Sequence, residues 1–100
     1  NEYAPRVHNS GHWTIEGAVT SQFENHLRAI TGMALGDVSC IGFPSMVNLI
    51  GRIPALDLSE GMTLHDYGKA PRDGRKVGHV TIVDKSGEAS RLKVLQQQLV

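Results

Sequence analysis

Two short stretches of the sequence concentrate the side chains that could do chemistry. The first, NEYAPRVHNSGHW (residues 1–13), combines a carboxylate, an arginine, two histidines and hydrogen-bonding side chains with little apolar material between them. An arginine fork can hold a phosphate or a carboxylate. A carboxylate beside an asparagine can bind magnesium through oxygen. The density of these residue types indicates a polar site, and its candidate residues are Glu2, Arg6, His8, Asn9, Ser10 and His12.

The two histidines of this stretch allow two interpretations. His8 and His12 are four residues apart, which is how some zinc sites begin on a helix. The intervening Asn-Ser-Gly is typical of a turn, and no third and fourth ligand follow at a suitable spacing. The alternative is a loop in which Asn9 and Ser10 hydrogen-bond the backbone and the histidines are half-exposed. The residues alone favour the loop.

The second stretch, YGKAPRDGRKVGH (residues 67–79), concentrates positive charge. Lys69, Arg72, Arg75 and Lys76 accompany one acid, Asp73, although the whole chain carries ten basic and ten acidic residues. A phosphate-sized anion could bind here, assisted by backbone N–H groups of the turn. The alternative is a solvated turn, since charged tips also protect hairpins from edge-to-edge pairing.

The element that should follow the first stretch is a helix. Ser21 and Glu24 form an S-x-x-E capping box, and Phe23, Leu27 and Ile30 then recur at helical spacing. Gly32 follows where a left-handed C-terminal cap would lie. The pattern predicts a helix over residues 21–31.

The elements around the second stretch should be strands. Residues 45–51, 62–68 and 76–84 have strand-like patterns, and Pro71 with Asp73-Gly74 marks a turn that would join the last two as a hairpin. Leu92, Leu95 and Leu99 then share one face of a terminal helix. This order predicts an α+β fold with an antiparallel sheet.

Composition limits the possible functions. A neutral chain of 100 residues has no global field to attract nucleic acid or a membrane surface, and no apolar stretch approaches bilayer length. The single Cys40 lies in an apolar run and is expected to be a buried small hydrophobe in a reducing, cytoplasmic compartment. The sequence contains no P-loop, G-x-G-x-x-G, G-x-S-x-G or C-x-x-C motif. From the residues alone, no active site is complete.

Taken together, the two stretches resemble a known enzyme family. NEYAPRVHNSGHWTIEGAVTSQFENHLRAITG is similar to the closing segment of the ATP-grasp domain of N5-carboxyaminoimidazole ribonucleotide synthetases, and HDYGKAPRDGRKVGHVTI and MVNLIG resemble their C-terminal domain. The family consists of ATP-dependent ligases of purine biosynthesis. They convert 5-aminoimidazole ribonucleotide, bicarbonate and ATP to the N5-carboxylated product, ADP and phosphate through carboxyphosphate.

The resemblance implies roles for individual residues. Asn1 and Glu2 would lie near the ATP phosphates, with Glu2 as a magnesium ligand. Arg6 would face the transferring phosphoryl group, and His8 and Asn9 would line the bicarbonate and aminoimidazole side. The phosphate of the substrate would be held by three hairpin cations, Lys69, Arg75 and Lys76.

The resemblance also implies an architecture. Residues 1–33 would be the end of an ATP-grasp domain, and residues 34–100 a small β-rich C-terminal domain with a terminal helix. We expect the chain to be the C-terminal fragment of a homodimeric enzyme, inactive without the upstream ATP-grasp portion. Apolar surface around Trp13, Ile15 and Phe23 would then be exposed. The alternatives are a non-enzymatic phosphate- or nucleotide-binding module and a dimerisation module.

Overall fold

The computed structural model describes residues 3–85 and 90–99, which form a three-stranded sheet with helices on both sides. The α-helices are α1 (Thr14–Gly17), α2 (Gln22–Ile30) and α3 (Ser90–Gln98), and a 3-10 helix (Asn9–Gly11) precedes α1. The strands are β1 (Phe43–Ile50), β2 (Met62–Asp66) and β3 (Lys76–Asp84). Both β1 and β2 pair with β3 in antiparallel register. The predicted α+β class and the β2–β3 hairpin are therefore confirmed.

The capping residues determine where α2 begins. Ser21 accepts a hydrogen bond from the backbone N–H of Glu24 at 3.1 Å, as the capping box predicts. The helix ends before Thr31, and Gly32 has a φ of 75°, a conformation that favours glycine. Glu24 and Arg28 form an ion pair one turn apart, at 2.7 Å.

The sheet buries an aliphatic core against α3. Buried side chains from all three strands, Leu49, Met62, Val80 and Ile82 among them, contact the fully buried Leu95 of α3. The leucine stripe predicted for the terminal helix is therefore confirmed, with Leu92 and Leu99 packed beside this core. Burial of these side chains supplies the main apolar stabilisation of the domain.

The opposite face of the sheet carries a row of polar residues. Asn48 on β1 lies opposite His79 on β3, and His79 lies opposite His65 on β2. Because side chains alternate between the faces of a sheet, these three residues lie side by side. We call them the polar row. His79, on the central strand, is only 1% exposed.

The N-terminal segment packs on this polar face. Helix α1 approaches β1 so closely that a Cβ atom at Gly17 would lie 2.5 Å from Pro44 Cβ and 2.9 Å from Trp13 Cε3. Glycine at this position is what lets the backbone of α1 reach the sheet. Helix α1 was not predicted, because its four residues are too few to show a helical period.

Cys40 corrects the prediction of a buried thiol, because its side chain is exposed. The apolar run around it forms a connection in which Cys40 pairs with Ala18, and Ile41 N–H donates to the Gly17 carbonyl at 2.7 Å. The backbone is hydrogen-bonded there, while Val38 and Ile41 are exposed as well. Apolar content alone did not distinguish this connection from a core strand.

The predicted apolar exposure near the N-terminal segment is present at Ile15 and Phe23 but not at Trp13, which is half-buried. Phe23, Leu27 and Ile30, the stripe that predicted α2, are 38%, 60% and 66% exposed. In the described part of the chain, no helix is long and apolar enough to cross a membrane.

Removing the α3 anchor should destabilise the domain more than removing a neighbouring side chain. Leu95→Ala leaves a cavity in the core and should cost about 2–5 kcal/mol of unfolding free energy. The matched Val94→Ala change, at a half-exposed position on the same helix, should cost well under half as much. Urea unfolding of both variants measures the difference, and equal losses would show that α3 does not close the core.

Candidate functional site

The cationic turn and the N-terminal loop, which are far apart in the sequence, meet over one edge of the polar row. Lys76 Nζ donates to Asn9 Oδ1 at 3.3 Å across 67 residues of sequence. Asn9 and Asn48 also exchange side-chain hydrogen bonds, of 2.9 Å from Asn9 Nδ2 and 3.1 Å from Asn48 Nδ2. The reciprocal amide pair fixes the Asn9 side chain on β1 and aims its oxygen at the hairpin cation.

Gln22 holds the loop in place. Its side-chain oxygen accepts from His8 N–H at 3.0 Å, and its amide donates to the His8 carbonyl at 2.8 Å. The same amide nitrogen lies 2.8 Å from His12 Nδ1. The first residue of α2 therefore fixes both histidines of the loop, a role that its sequence context did not signal.

His8 and His12 are half-buried, as the loop interpretation predicted, whereas among the described residues the Asn9 and Ser10 side chains hydrogen-bond other side chains and not, as it also predicted, the backbone. His8 Nδ1 accepts from Ser10 N–H at 3.2 Å and lies 2.9 Å from Ser10 Oγ. His12 stacks on Phe23, and burial, with His65, His8 and Lys76 nearby, lowers its pKa. Among the described residues, neither histidine belongs to a cluster of possible metal ligands. The geometry favours the loop interpretation over zinc.

Arg6 lies with His8 at the wall of a surface depression of about 330 Å³, lined by Tyr3, Ala4, Arg6, His8 and Ser10. Arg6 Nη1 donates to the neighbouring Val7 carbonyl at 3.1 Å. A depression with an arginine, a histidine and a hydroxyl at its wall suits an anion. Asn1 and Glu2, the predicted nucleotide and magnesium residues, lie outside the described residues.

The predicted phosphate-binding cations share a second depression. Lys69, Arg75 and Lys76 line an open concavity of about 610 Å³ together with Arg72 and Gly74. Arg75 Nη1 donates to the Ala70 carbonyl at 3.1 Å, which braces the turn, and Lys69 lies 5.6 Å above the Tyr67 ring. Four cations around one open depression suit a phosphate group in charge.

The buried His79 lies in a cluster of half-buried polar side chains that the sequence analysis did not assign to the site. Tyr67 OH lies 2.7 Å from His79 Nδ1, and Glu16 Oε2 lies 2.8 Å from His65 Nε2. The His65 and His79 rings stack at 4.5 Å. One sequence signal could have revealed this cluster: polar side chains occupy strand positions where apolar ones are expected. A polar residue at a buried position is more informative about function than a buried leucine.

The surroundings of His79 keep its ring neutral. Burial, followed by the neighbouring His65 and His12, lowers the pKa of His79 to about 4, while Glu16 opposes the shift. Burial raises the pKa of Tyr67, and a hydrogen bond with the Asn9 side chain opposes that shift. Near neutral pH the cluster therefore contains an uncharged imidazole beside a protonated phenol.

The comparisons with known proteins agree with the arrangement of the two stretches. Residues 45–93 match the family model of the phosphoribosylaminoimidazole carboxylase C-terminal domain, and residues 1–23 match that of the ATP-grasp domain. An N5-carboxyaminoimidazole ribonucleotide synthase from Pseudomonas aeruginosa is 56% identical over 85 residues, covering 82% of this chain and 24% of the relative.

Solved structures agree over most or all of the chain. The phosphoribosylaminoimidazole carboxylase ATPase subunit from Aquifex aeolicus is 43% identical, with a TM-score of 0.87, over 100% of this chain and 33% of that one. An Aspergillus clavatus N5-carboxyaminoimidazole synthase, in complex with ADP and 5-aminoimidazole ribonucleotide, is 31% identical with a TM-score of 0.81, over 94% and 29%. The chain spans about a quarter of the length of the curated relatives it matches.

The neutral state of His79 predicts a pH dependence of stability. Its pKa is lowered on folding from the ordinary 6.5 to about 4, so the unfolded chain binds more protons between these values. The stability gained from the neutral ring is fully present above pH 6.5 and is lost as the pH falls toward 4. We expect a loss of about 2 kcal/mol between pH 7 and pH 5 from this ring. Urea unfolding at both pH values should show this component in the wild type and not in His79→Gln, and identical pH slopes would contradict it.

Proposed function

Because this chain belongs to the N5-carboxyaminoimidazole ribonucleotide synthetase family, we propose that it supplies one wall of the active site of such a ligase. The whole enzyme would carboxylate the amine of 5-aminoimidazole ribonucleotide with bicarbonate, at the expense of ATP, in the cytoplasm. The observation that carries the proposal is the hydrogen bond from Lys76 to Asn9. It joins the depression suited to a phosphate with the loop suited to a carboxylate.

The residues of the loop divide the chemistry between them. Arg6 neutralises charge on the phosphoryl group and the carboxyl donor, since phosphoryl transfer depends on positioning and charge stabilisation. His8 accepts the Ser10 N–H at Nδ1, and its ring exchanges a proton with the reacting oxygen atoms. Asn9 contacts the bicarbonate or aminoimidazole through its oriented amide.

The hairpin cations bind the substrate. Lys69, Arg75 and Lys76 hold the ribose 5-phosphate in the open depression that they line. Because Lys76 also contacts Asn9, phosphate binding and the orientation of the carboxylation loop are coupled through one side chain. Such coupling uses binding energy from a non-reacting phosphate to place the reacting amine.

By the resemblance, Glu2 would be the magnesium ligand, since a hard carboxylate oxygen is what magnesium prefers. The described residues of the first depression contribute cationic and hydroxyl groups. When bound, the ion neutralises the charge of the ATP phosphates. Asn1 would lie beside those phosphates.

The rest of the polypeptide would pack on residues 1–33, which we propose to be the end of the ATP-grasp domain, while residues 34–100 form the small C-terminal domain. The exposed apolar stripe of α2 offers a surface for it. We also propose that the full-length protein forms a homodimer through the rest of the polypeptide. We expect this chain alone to release no ADP.

ADP release by the full-length protein tests the function. We expect release to require both 5-aminoimidazole ribonucleotide and bicarbonate, since the substrate completes the site. Release without either would place the protein in another reaction class. An absence of release under all conditions would also overturn the proposal.

Substitution of the hairpin cations tests the phosphate site. Arg75→Gln and Lys76→Gln should each raise the KM for 5-aminoimidazole ribonucleotide about 10–100-fold, the cost of one charge-assisted hydrogen bond, and leave the KM for ATP unchanged. Arg52→Gln, which removes an exposed cation outside the depression, serves as the control. A wild-type KM in both test variants would show that the phosphate binds elsewhere.

The magnesium role of Glu2 makes a separate prediction. Glu2→Ala should lower ADP formation by the full-length enzyme at least about 100-fold, because the ATP phosphates would lose the charge of the ion that Glu2 would hold, with an unchanged thermal midpoint. Glu24→Ala removes a carboxylate that pairs only with Arg28 among the described residues and should leave turnover intact. Near-normal turnover of Glu2→Ala would contradict the assignment.

A further inference from the structure

Two buried polar atoms of the cluster around His79 have no hydrogen-bond partner among the described residues. They are Glu16 Oε1 and His79 Nε2. A buried unpaired donor or acceptor is costly, so such atoms call for an explanation. The two belong to one group, because single ligand atoms of Glu16, His65 and His79 lie within 4.8 Å of one another.

The stacking of the two imidazoles favours a shared carboxylate over a shared metal ion. The His65 and His79 rings are inclined by only 17° with centroids 4.5 Å apart. Nearly parallel rings direct their in-plane nitrogens side by side, whereas a zinc ion needs both lone pairs aimed at one point about 2 Å away. A carboxylate has two oxygens, and Glu16 already uses Oε2 for His65. Its Oε1 is the natural acceptor for an N–H at His79 Nε2.

A hydrogen bond from His79 Nε2 to Glu16 Oε1 would determine the tautomer of His79. The groups that face its ring are Tyr67 and His65 from the β2 side, His12 from the loop and Glu16 from α1. A neutral ring with its proton on Nε2, toward Glu16, leaves Nδ1 as an acceptor for the Tyr67 hydroxyl at 2.7 Å. A carboxylate that orients a histidine in this way is a common device in active sites.

The Tyr67 hydroxyl in turn orients the Asn9 side chain at the site. When its hydroxyl proton points at His79, the Tyr67 oxygen presents only lone pairs to its other neighbours, and the Asn9 side chain lies close enough to that oxygen to oppose the rise in the Tyr67 pKa. The donor of Asn9 must be Nδ2, which leaves Oδ1 to accept from Lys76 and Asn48. The opposite His79 tautomer would turn the Tyr67 hydroxyl outward and remove the preference for this amide orientation.

We propose that Glu16 is a positioning residue for the carboxylation site. Its carboxylate fixes His79 as the Nε2–H tautomer, which orients the Tyr67 hydroxyl and, through it, the Asn9 amide that faces Lys76. The catalytic part of this inference rests on the proposed function, because Asn9 and Lys76 are the residues assigned there to the carboxyl donor and the substrate phosphate.

The first test is kinetic and uses the full-length enzyme. Glu16→Gln keeps the shape of the side chain but replaces one acceptor oxygen by a donor, so it can no longer accept from both rings. We expect kcat to fall about 10–100-fold, the range found for residues that orient other site residues, with the KM for ATP unchanged. Tyr67→Phe interrupts the same chain one step later and should give a similar loss. Glu24→Gln, at a carboxylate paired with Arg28, should match the wild type.

The second test observes the tautomer directly and needs no activity. In full-length protein with 15N-labelled histidine rings, wild-type His79 should show a protonated Nε2 and an unprotonated Nδ1 at pH 7. Glu16→Gln should mix the two tautomers and shift the side-chain amide signals of Asn9. The His79→Gln variant identifies the ring signals.

The outcomes separate this inference from the proposed function. If ADP release does not depend on the substrate, the proposed function fails, while the tautomer and the Asn9 signals still decide whether Glu16 orients the chain. A protonated Nδ1 in the wild type, or unchanged signals and turnover in Glu16→Gln, would overturn the positioning role. Stoichiometric Zn²⁺ that shifts both His65 and His79 ring signals would identify a metal site in its place.

Discussion

The burial of His79 on the central strand is the constraint on which the polar side of this structure depends. A histidine at 1% exposure must be hydrogen-bonded and neutral, because an unpaired or charged ring there would be costly. Tyr67, after the end of β2, hydrogen-bonds its Nδ1, His65 of β2 stacks on its ring, and a carboxylate oxygen of Glu16 of α1 lies within 4.8 Å of one of its nitrogens. Satisfying one ring therefore fixes the N-terminal segment on the sheet, and the candidate site forms along that contact.

The two faces of the sheet stabilise the chain by different means. The face covered by α3 is aliphatic and contributes stability in proportion to the apolar area buried. The face covered by the N-terminal segment relies on directional contacts, such as the Asn9–Asn48 amide pair, the Gln22 hydrogen bonds to His8 and the Glu16–His65 contact. Hydrogen bonds contribute less net free energy than apolar burial but restrict geometry more closely. A site that must place a loop against a hairpin needs an interface held by directional hydrogen bonds.

The sequence predicted most of the fold because its signals are local. The capping box at Ser21, the Asp73-Gly74 turn and the alternation over residues 76–84 each depend on neighbouring residues, and β3 has the predicted bounds. Helix α1 and the exposed Cys40 were missed because a single turn has no period and because an apolar run does not reveal which connection crosses the surface. The strand register, which creates the polar row, is a long-range property that no local pattern encodes.

The candidate site was predictable only as two separate lists of residues. The resemblance named Arg6, His8, Asn9 and the hairpin cations, but the contact between Asn9 and the hairpin depends on Gln22 and Asn48, whose side chains signal nothing in sequence.

The apolar stripe of α2 shows a second limit of sequence patterns. Its period predicted the helix correctly, yet Leu27 and Ile30 face outward. Periodicity shows that a helix has an apolar face and does not show which surface covers it. The N-terminal segment thus has a polar interface with the sheet on one side and an exposed apolar stripe on the other. This arrangement is expected of a segment that packs between two structural units, one against each of its faces.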